Sequence, residues 1–216
     1  AALKKDTVFF LRHKSGPVYL YYEIISPRFL RQHTDELRVP GMDNEDVVVD
    51  DYDEVLWRLR ALCGLKNTRN ARIIAVGGSG GWAQPSEVIA DLVKKVWGLE
   101  ILEVTYPDLK KMIEDARADA AAVALAEKRT EEYLRDPNVS LETDRVFLRN
   151  AFLLEHVFRK IMQQADCRMI TVMHCMGTIM PVAETSACMA LSTLNDDGYL
   201  AFCESDFVVI PSGILM

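Results

Sequence analysis

The order of apolar and polar positions from residue 72 onward predicts strands alternating with helices. Ile73 to Val76 form a continuous apolar run, which is typical of a strand buried on both faces of a parallel sheet. Three more strands are predicted: Leu99–Val104, where the pattern alternates, and two further segments, Met169–Met173 and Leu200–Cys203. Helical spacing predicts helices at about Pro85–Trp97, Leu109–Arg135, Leu141–Gln164 and Thr185–Leu194, and a final helix from about Pro211. This alternation predicts an α/β fold with a doubly wound parallel sheet, of the Rossmann-like or flavodoxin-like kind.

The first 66 residues have a less regular pattern. Thr7–Leu11 predicts a short strand, whereas Val18–Ile25 fits either a strand or a helix. Pro40–Asp46 is rich in turn-forming and acidic residues and predicts a solvated loop. Apolar residues at helical spacing predict a helix over Tyr52–Leu62. Because Lys66–Asn70 is polar and lacks a period, we place a domain boundary there, between residues 1–66 and residues 67–216.

Composition narrows the classes of function. Hydrophobic residues make up 50% and charged residues 26% of the 216 residues, the balance of an ordinary globular protein. The net charge of −7 would repel a polyanion, so we expect no nucleic-acid partner. No window reaches the roughly 18 apolar residues that a membrane-spanning helix needs, and the N-terminal residues lack the apolar core of a signal peptide.

The cysteines favour a reducing compartment. Their number, five, is odd, and none forms a Cys-x-x-Cys pair, so a disulfide framework or a zinc ribbon is not expected. We therefore expect reduced thiols in a cytoplasmic protein.

A glycine-rich segment follows the first strand of the second domain. Residues 78–83, Gly-Ser-Gly-Gly-Trp-Ala, fit the G-x-G-x-x-G/A pattern that lets a backbone approach a pyrophosphate at a helix N-terminus. Glu103 lies roughly where an acidic residue would bind the ribose of a dinucleotide. Trp82, however, would crowd the phosphates, and any tight turn after a strand favours glycine. Nucleotide binding at Gly77–Gly81 and a structural or substrate-facing turn both remain open.

Other predicted strands end in residues that carry chemistry. His174 and Cys175 follow one strand, and Glu204 and Asp206 follow another. Ligands bind outside the carboxyl ends of the strands in sheets of this kind, and a carboxylate at such a position suits a divalent cation. Glu204 could instead cap a helix or pair with an arginine, Asp206 could cap the following segment, and His174 could be a half-buried structural histidine. The other histidines, His13, His33 and His156, lack acidic or thiol neighbours at metal-ligand spacing, so we interpret them as structural or solvated.

Two blocks of sequence resemble the L-fucose isomerase family and its relatives, the L-arabinose isomerases. The first is Ala71–Leu134, with Val76-Gly77-Gly78, Trp97-Gly98-Leu99 and Val104-Thr105 in order before a long Ala- and Glu-rich helix. The second is Ala187–Asp206, in which an Asn-Asp-Asp-Gly turn precedes a strand that ends in Cys-Glu-Ser-Asp. The resemblance implies that residues 1–66 are the C-terminal part of a first α/β domain and that residues 67–216 are the second α/β domain.

The resemblance also implies a chemistry. Family members interconvert aldoses and ketoses in carbohydrate metabolism, through an enediol, with a divalent metal that is usually manganese. By position Glu204 would bind the metal and take part in proton transfer, while His174, Cys175, Trp82 and Asp206 would contact the sugar. Well-known members have a glutamine at the strand end that carries Cys175, which indicates a different sugar or a lost contact. The remaining metal ligands would lie beyond Met216, in a further C-terminal domain, and a homo-oligomer, a trimer or hexamer, is expected. A nucleotide-dependent enzyme and a non-catalytic sugar-binding module are the alternatives.

Overall fold

A computed structural model of the chain describes residues 8–12, 14, 47–82 and 84–216. The predictions for Val18–Ile25, Pro40–Asp46, His13 and His33 lie outside these residues. The chain divides into two compact units, Ala1–Lys66 and Asn67–Met216. The division falls at the start of the polar segment Lys66–Asn70, although a helix continues from the first unit as far as Thr68.

The described part of the first unit is a parallel strand pair followed by a helix. Strand β1, Phe9–Leu11, pairs with β2, Val47–Val49, and helix α1 spans Tyr52–Thr68. The helix begins where its apolar spacing predicts and continues six residues past Leu62. The ring of Tyr52 packs edge-on against Phe10, with 4.6 Å between the ring centroids, so the start of the helix contacts strand β1.

The second unit is built on a four-stranded parallel sheet. Its strands are β3 (Arg72–Val76), β4 (Glu100–Val104), β5 (Met169–Val172) and β6 (Leu200–Cys203), in the order β4-β3-β5-β6. In the register, Val76 lies opposite both Val104 and Val172, and Val172 lies opposite Cys203. The carboxyl ends of all four strands are therefore level and meet at one edge of the sheet. The predicted α/β class with a parallel sheet is confirmed.

Alternating residues of β3 belong to two separate cores. Ile73 and Ala75 pack with apolar residues of helices α2 (Ser86–Trp97) and α8 (Ile210–Leu215). Ile74 and Val76 pack on the other face, where five helices contribute: α3 (Tyr106–Ala118), α4 (Ala120–Leu134), α5 (Arg145–Gln164), α6 (Met180–Ala183) and α7 (Cys188–Asp196). Helices thus cover both faces, which explains why the run from Ile73 to Val76 is apolar without a gap.

Helix ends follow local chemistry. Helix α2 ends at Gly98, which adopts the left-handed conformation (φ 70°) that glycine reaches most easily, as its position after the apolar run predicts. The single helix expected over Leu109–Arg135 is instead two helices, because Asp119 interrupts it. Asp119 has an extended backbone, and its side chain accepts a hydrogen bond of 2.9 Å from the amide of Ala121, so that it caps α4. Helix α5 begins at Arg145, four residues later than predicted.

The segment after β5 differs most from expectation. A π-helical turn spans Cys175–Ile179 and runs into a short helix α6, Met180–Ala183, where the sequence analysis predicted no helix. Helix α7 begins at Cys188 rather than Thr185. Among the described residues, no helix is both long enough and apolar enough to cross a bilayer.

Candidate functional site

The level strand ends form an edge at which the chain changes direction across the sheet. From β3 the chain passes over one face, through α2, to β4; it then returns over the other face, through α3 to α5, to β5 on the opposite side of β3. The connections after β3 and β5 therefore leave the edge toward opposite faces. A crevice of this type, outside the carboxyl ends of parallel strands, is where ligands bind in open α/β sheets.

Glu204 lies at this edge in an unusual conformation. Its φ is 69° and that of the next residue, Ser205, is 47°, so two consecutive non-glycine residues are left-handed. Such residues cost about 1–3 kcal/mol each and persist only where the surroundings hold them. Here the amide of the fully buried Ser205 donates a hydrogen bond of 3.1 Å to Oγ1 of Thr171 on the neighbouring strand. This contact fixes the turn that presents Glu204.

The carboxylate of Glu204 is exposed and has no cationic partner among the described residues. It does not cap the following helix, whose N-terminal flanking residue is Val209. Its one hydrogen-bond contact in the described part of the chain is with the Cys203 thiol, 3.6 Å from Oε1. Partial burial raises the pKa of the Cys203 thiol, and the adjacent Glu204 carboxylate raises it further, so this thiol stays protonated beside the carboxylate at neutral pH.

Asp206 is engaged in holding the edge together. Its Oδ1 accepts hydrogen bonds from the amides of Trp82, at 3.2 Å, and Val208, at 3.0 Å. The amide of Gly80 donates to the carbonyl of Ser205, so the glycine segment and the Glu204 turn are joined side by side. Asp206 thus caps the following segment, one of the two roles open from the sequence. The Trp82 indole beside it is 82% exposed, and sugar contacts by either residue stay predictions.

His174 and Cys175 have contrasting environments. His174 is exposed and left-handed, with φ 46°. Cys175 is only 3% exposed, and its Sγ accepts a hydrogen bond of 3.1 Å from the amide of Ala187. Burial raises the pKa of the Cys175 thiol, and the nearby Cys188 and Glu204 add to that effect. Of the two side chains, therefore, only that of His174 is open to a solvent-borne ligand in this conformation.

Tyr106 is a member of this edge that the sequence analysis missed. It begins α3 directly after β4, and its hydroxyl donates a hydrogen bond of 2.8 Å to the carbonyl of Met173. Burial raises the pKa of this phenol, a hydrogen bond with Thr178 lowers it, and the Glu204 carboxylate raises it again. The signal in the sequence was an aromatic residue directly after the strand-ending pair Val104-Thr105. Tyr106 thereby joins the end of β4 to the loop after β5.

The glycine segment makes room for that tyrosine. Gly77 has φ 85°, and a Cβ built on it would lie 2.2 Å from the Tyr106 hydroxyl oxygen. Its amide donates to the carbonyl of Val104 at 2.9 Å. Gly77 is therefore required both for its backbone conformation and for the close approach of the tyrosine ring.

A phosphate cradle at this segment would need free amides, and several are already engaged. The amides of Gly77, Gly78, Gly80 and Trp82 each donate to an acceptor within the protein. Helix α2 begins only at Ser86, so its N-terminus does not open directly from the glycines. The carboxylate of Glu103 lies against Gly78, where a Cβ would be 3.3 Å from Oε1. These contacts argue against a phosphate at this turn.

A metal at this edge would find the exposed carboxylate of Glu204, which has no cationic partner among the described residues. Among the described residues, no group of three or more His, Cys, Asp or Glu side chains is arranged to hold a metal ion. Glu204 is exposed and has no ion pair among the described residues, whereas Oδ1 of Asp206 already accepts hydrogen bonds from two backbone amides. The edge therefore fits a hard divalent cation only as a partial site, with Glu204 as one ligand.

Searches of protein-family models and of curated proteins find no match to this chain. The resemblance to the L-fucose isomerase family therefore stays a prediction from the sequence motifs around Gly77 and Glu204.

Proposed function

We propose that this chain supplies one metal-binding carboxylate, Glu204, to the active site of a metal-dependent aldose–ketose isomerase. The observation that carries the proposal is the Glu204 turn at the carboxyl edge of the sheet. It holds an exposed carboxylate in a costly left-handed conformation without a cationic partner among the described residues. Backbone strain of this kind concentrates at functional sites. The strand order β4-β3-β5-β6 supports a doubly wound fold of the flavodoxin-like kind, in which ligands bind at this edge.

Glu204 would bind manganese through a carboxylate oxygen, together with ligands from outside the described residues. When bound, such a cation polarises the carbonyl and the neighbouring hydroxyl of the sugar. The Glu204 Oε atoms would also be placed to carry a proton between the two carbons. Exposed His174 and Trp82 would face sugar hydroxyls, whereas a contact with Cys175 would require its buried thiol to become accessible. A homo-oligomer in which a neighbouring subunit completes the site belongs to the same proposal.

Two other functions compete with this one. A nucleotide-dependent enzyme would use Gly77–Gly81, but four backbone amides of this region, including that of Trp82, already bind protein acceptors. A sugar-binding module without a metal would need the same edge but not the charge of Glu204. The isomerase proposal is therefore preferred to the first, and the role of the carboxylate distinguishes it from the second.

The test uses the full-length gene product, stripped of metal and then supplied with manganese and a panel of aldoses that includes L-fucose and L-arabinose. We expect ketose formation that depends on manganese and is lost in Glu204→Gln. The matched control is Glu142→Gln, which neutralises another exposed glutamate that has no ion pair among the described residues. Manganese binding is measured separately from turnover, and light scattering checks for a trimer or hexamer. If wild type and Glu204→Gln bind sugar equally well and neither binds manganese, the result would favour the non-catalytic module instead.

A further inference from the structure

A cavity whose lining includes none of the residues of the Glu204 turn holds more positive than negative charge. Its volume is about 420 Å³, and it lies among the last turn of α3, the N-terminal half of α4 and the first turns of α5. The polar residues that line it are Arg117, Arg149, Asn150 and Glu184, and the remaining lining is apolar. Two guanidinium groups therefore face one carboxylate.

Arg149 is the more unusual of the two arginines. It is half-buried, and it forms no ion pair or hydrogen bond with any residue in the part of the chain that the structure describes. Its guanidinium nitrogens are not among the buried, unpartnered atoms of the described residues, so they are in contact with solvent. Its donors are therefore open to an anion that enters the cavity.

Arg117 is only partly satisfied. Its Nη2 lies 3.4 Å from Oε2 of Glu184, which is close enough for an ion pair. The same nitrogen is buried and has no hydrogen-bond partner among the described residues, because the geometry of that contact is poor. One donor of this guanidinium therefore remains available to a ligand.

The carboxylate of Glu184, which lines the cavity, is held by weak contacts. This residue is left-handed (φ 55°) at the end of α6, and its side chain is 61% exposed. Its carboxylate has two long contacts, 3.4 Å to Arg117 Nη2 and 3.5 Å to the side-chain amide of Asn150, which also donates to the Glu184 carbonyl at 3.4 Å. Asn150 itself is 4% exposed, so its amide is a fixed, buried donor. Long contacts of this kind are weak compared with charge-assisted hydrogen bonds at ordinary distance. A better-fitting anion could displace the carboxylate into solvent.

We infer that this cavity, at Arg117, Arg149 and Asn150, binds a small phosphate-bearing anion that competes with the Glu184 carboxylate. Guanidinium groups offer planar paired donors that match phosphate oxygens, and the Asn150 amide adds a neutral donor. The volume lies within the range of small-molecule sites. The inference does not depend on the isomerase proposal, since none of these residues belongs to the carboxyl edge.

The experiment titrates inorganic phosphate into the full-length protein by calorimetry, with sodium chloride balancing the ionic strength. We expect Arg149→Gln to weaken phosphate binding by roughly tenfold or more, as the loss of a charge-assisted hydrogen bond implies. Glu184→Gln should strengthen it, because the competing charge is removed. Arg135→Gln is the matched control, since Arg135 is exposed and has no ion pair among the described residues. Arg149→Lys, which keeps the charge but loses the paired donors, should have intermediate affinity.

Glucose 6-phosphate serves as a second probe for the source of the anion. Tighter binding of the ester than of inorganic phosphate identifies a phosphorylated small molecule, and equal affinity identifies free phosphate. Circular dichroism establishes that each variant is folded. The inference is overturned if folded wild type shows no phosphate binding beyond that of chloride, or if Arg149→Gln and Arg135→Gln bind phosphate equally well.

Discussion

Replacing Gly77 by alanine would add a methyl group where strand β3 meets the carboxyl edge. The new Cβ would lie 2.2 Å from the Tyr106 hydroxyl oxygen and 2.3 Å from the ring carbon that bears it, so the ring must move. The left-handed φ of 85° adds a conformational cost of about 1–2 kcal/mol for a residue with a side chain. Overpacking against a held aromatic ring adds about 1–3 kcal/mol. We therefore expect Gly77→Ala to lower the free energy of unfolding by about 2–5 kcal/mol.

Two further variants separate these contributions. Gly177→Ala adds the same methyl group where nothing lies within 4 Å, and Gly177 is not left-handed, so we expect stability to stay equal or to rise by about 0.4–1 kcal/mol. In a Tyr106→Ala background the steric part disappears, and Gly77→Ala should then cost only about 1–2 kcal/mol. Urea unfolding followed by circular dichroism gives the free energies. Equal costs of Gly77→Ala in the presence and absence of the tyrosine ring would refute the reasoning.

Three other predictions concern groups whose partners the structure defines. Thr171→Val should lower the free energy of unfolding by about 1–3 kcal/mol, because it leaves the buried Ser205 amide unpaired. Ser205→Ala should leave stability unchanged or raise it, because the Ser205 hydroxyl is buried without a partner in the described chain. Urea unfolding of Thr171→Val and Ser205→Ala tests this difference, and equal losses of stability would contradict it. Glu204→Gln should lower the pKa of the Tyr106 phenol, since burial and then the Glu204 carboxylate raise it above 10.0. Phenolate absorbance against pH, with Tyr106→Phe as the blank, measures the shift. An unchanged pKa would show that the two groups do not interact. Glu155→Ala should lower the free energy of unfolding by about 1–3 kcal/mol. This is less than the cost of breaking a wholly buried ion pair, because the two arginines that bind this 1% exposed carboxylate are themselves part-exposed. Urea unfolding measures the loss, and a loss no larger than that for an exposed glutamate would contradict the prediction.

The sequence predicts the sheet of the second unit well. Apolar runs such as Ile73–Val76 are typical of strands covered on both faces, so together with the turn residues beside them they indicate both the strand and its parallel environment. Leu200–Cys203 is a strand with the predicted bounds, and Gly98 ends α2 as its conformational freedom predicts. These features depend on local composition, and composition is what a single sequence shows directly.

Other parts of the fold depend on contacts that no local pattern records. The break at Asp119 depends on one side chain capping the next helix, inside a segment whose Ala-rich composition favours a continuous helix. The π-helical turn at Cys175–Ile179 accompanies the bond from the Ala187 amide to a buried thiol twelve residues earlier. Contacts of this kind become visible only when the elements are assembled.

The candidate site was predicted in outline and missed in detail. The topology of parallel sheets brings the residues that follow the strands to one edge, and Glu204 and His174 do lie there. Their function stays a prediction. Tyr106 was missed because it joins the edge through a hydrogen bond to the carbonyl of Met173, which is 67 residues away in sequence. The engagement of Asp206 by two backbone amides was likewise invisible, although its role as a cap was one of the alternatives.

The backbone at the carboxyl edge carries the strongest argument that the edge has a function. Left-handed residues lie at the ends of three of its four strands: Gly77 and Gly78 after β3, His174 after β5, and Glu204 with Ser205 after β6. A turn that served only to connect β6 to α8 could relieve the cost of Glu204 and Ser205 with glycine. Instead the chain keeps a charged side chain there and holds it through bonds from Ser205 to Thr171 and from Gly80 to Ser205. Those bonds hold the backbone from which the exposed carboxylate projects more firmly than a flexible loop would, and a metal ligand or a proton carrier requires such a rigid support.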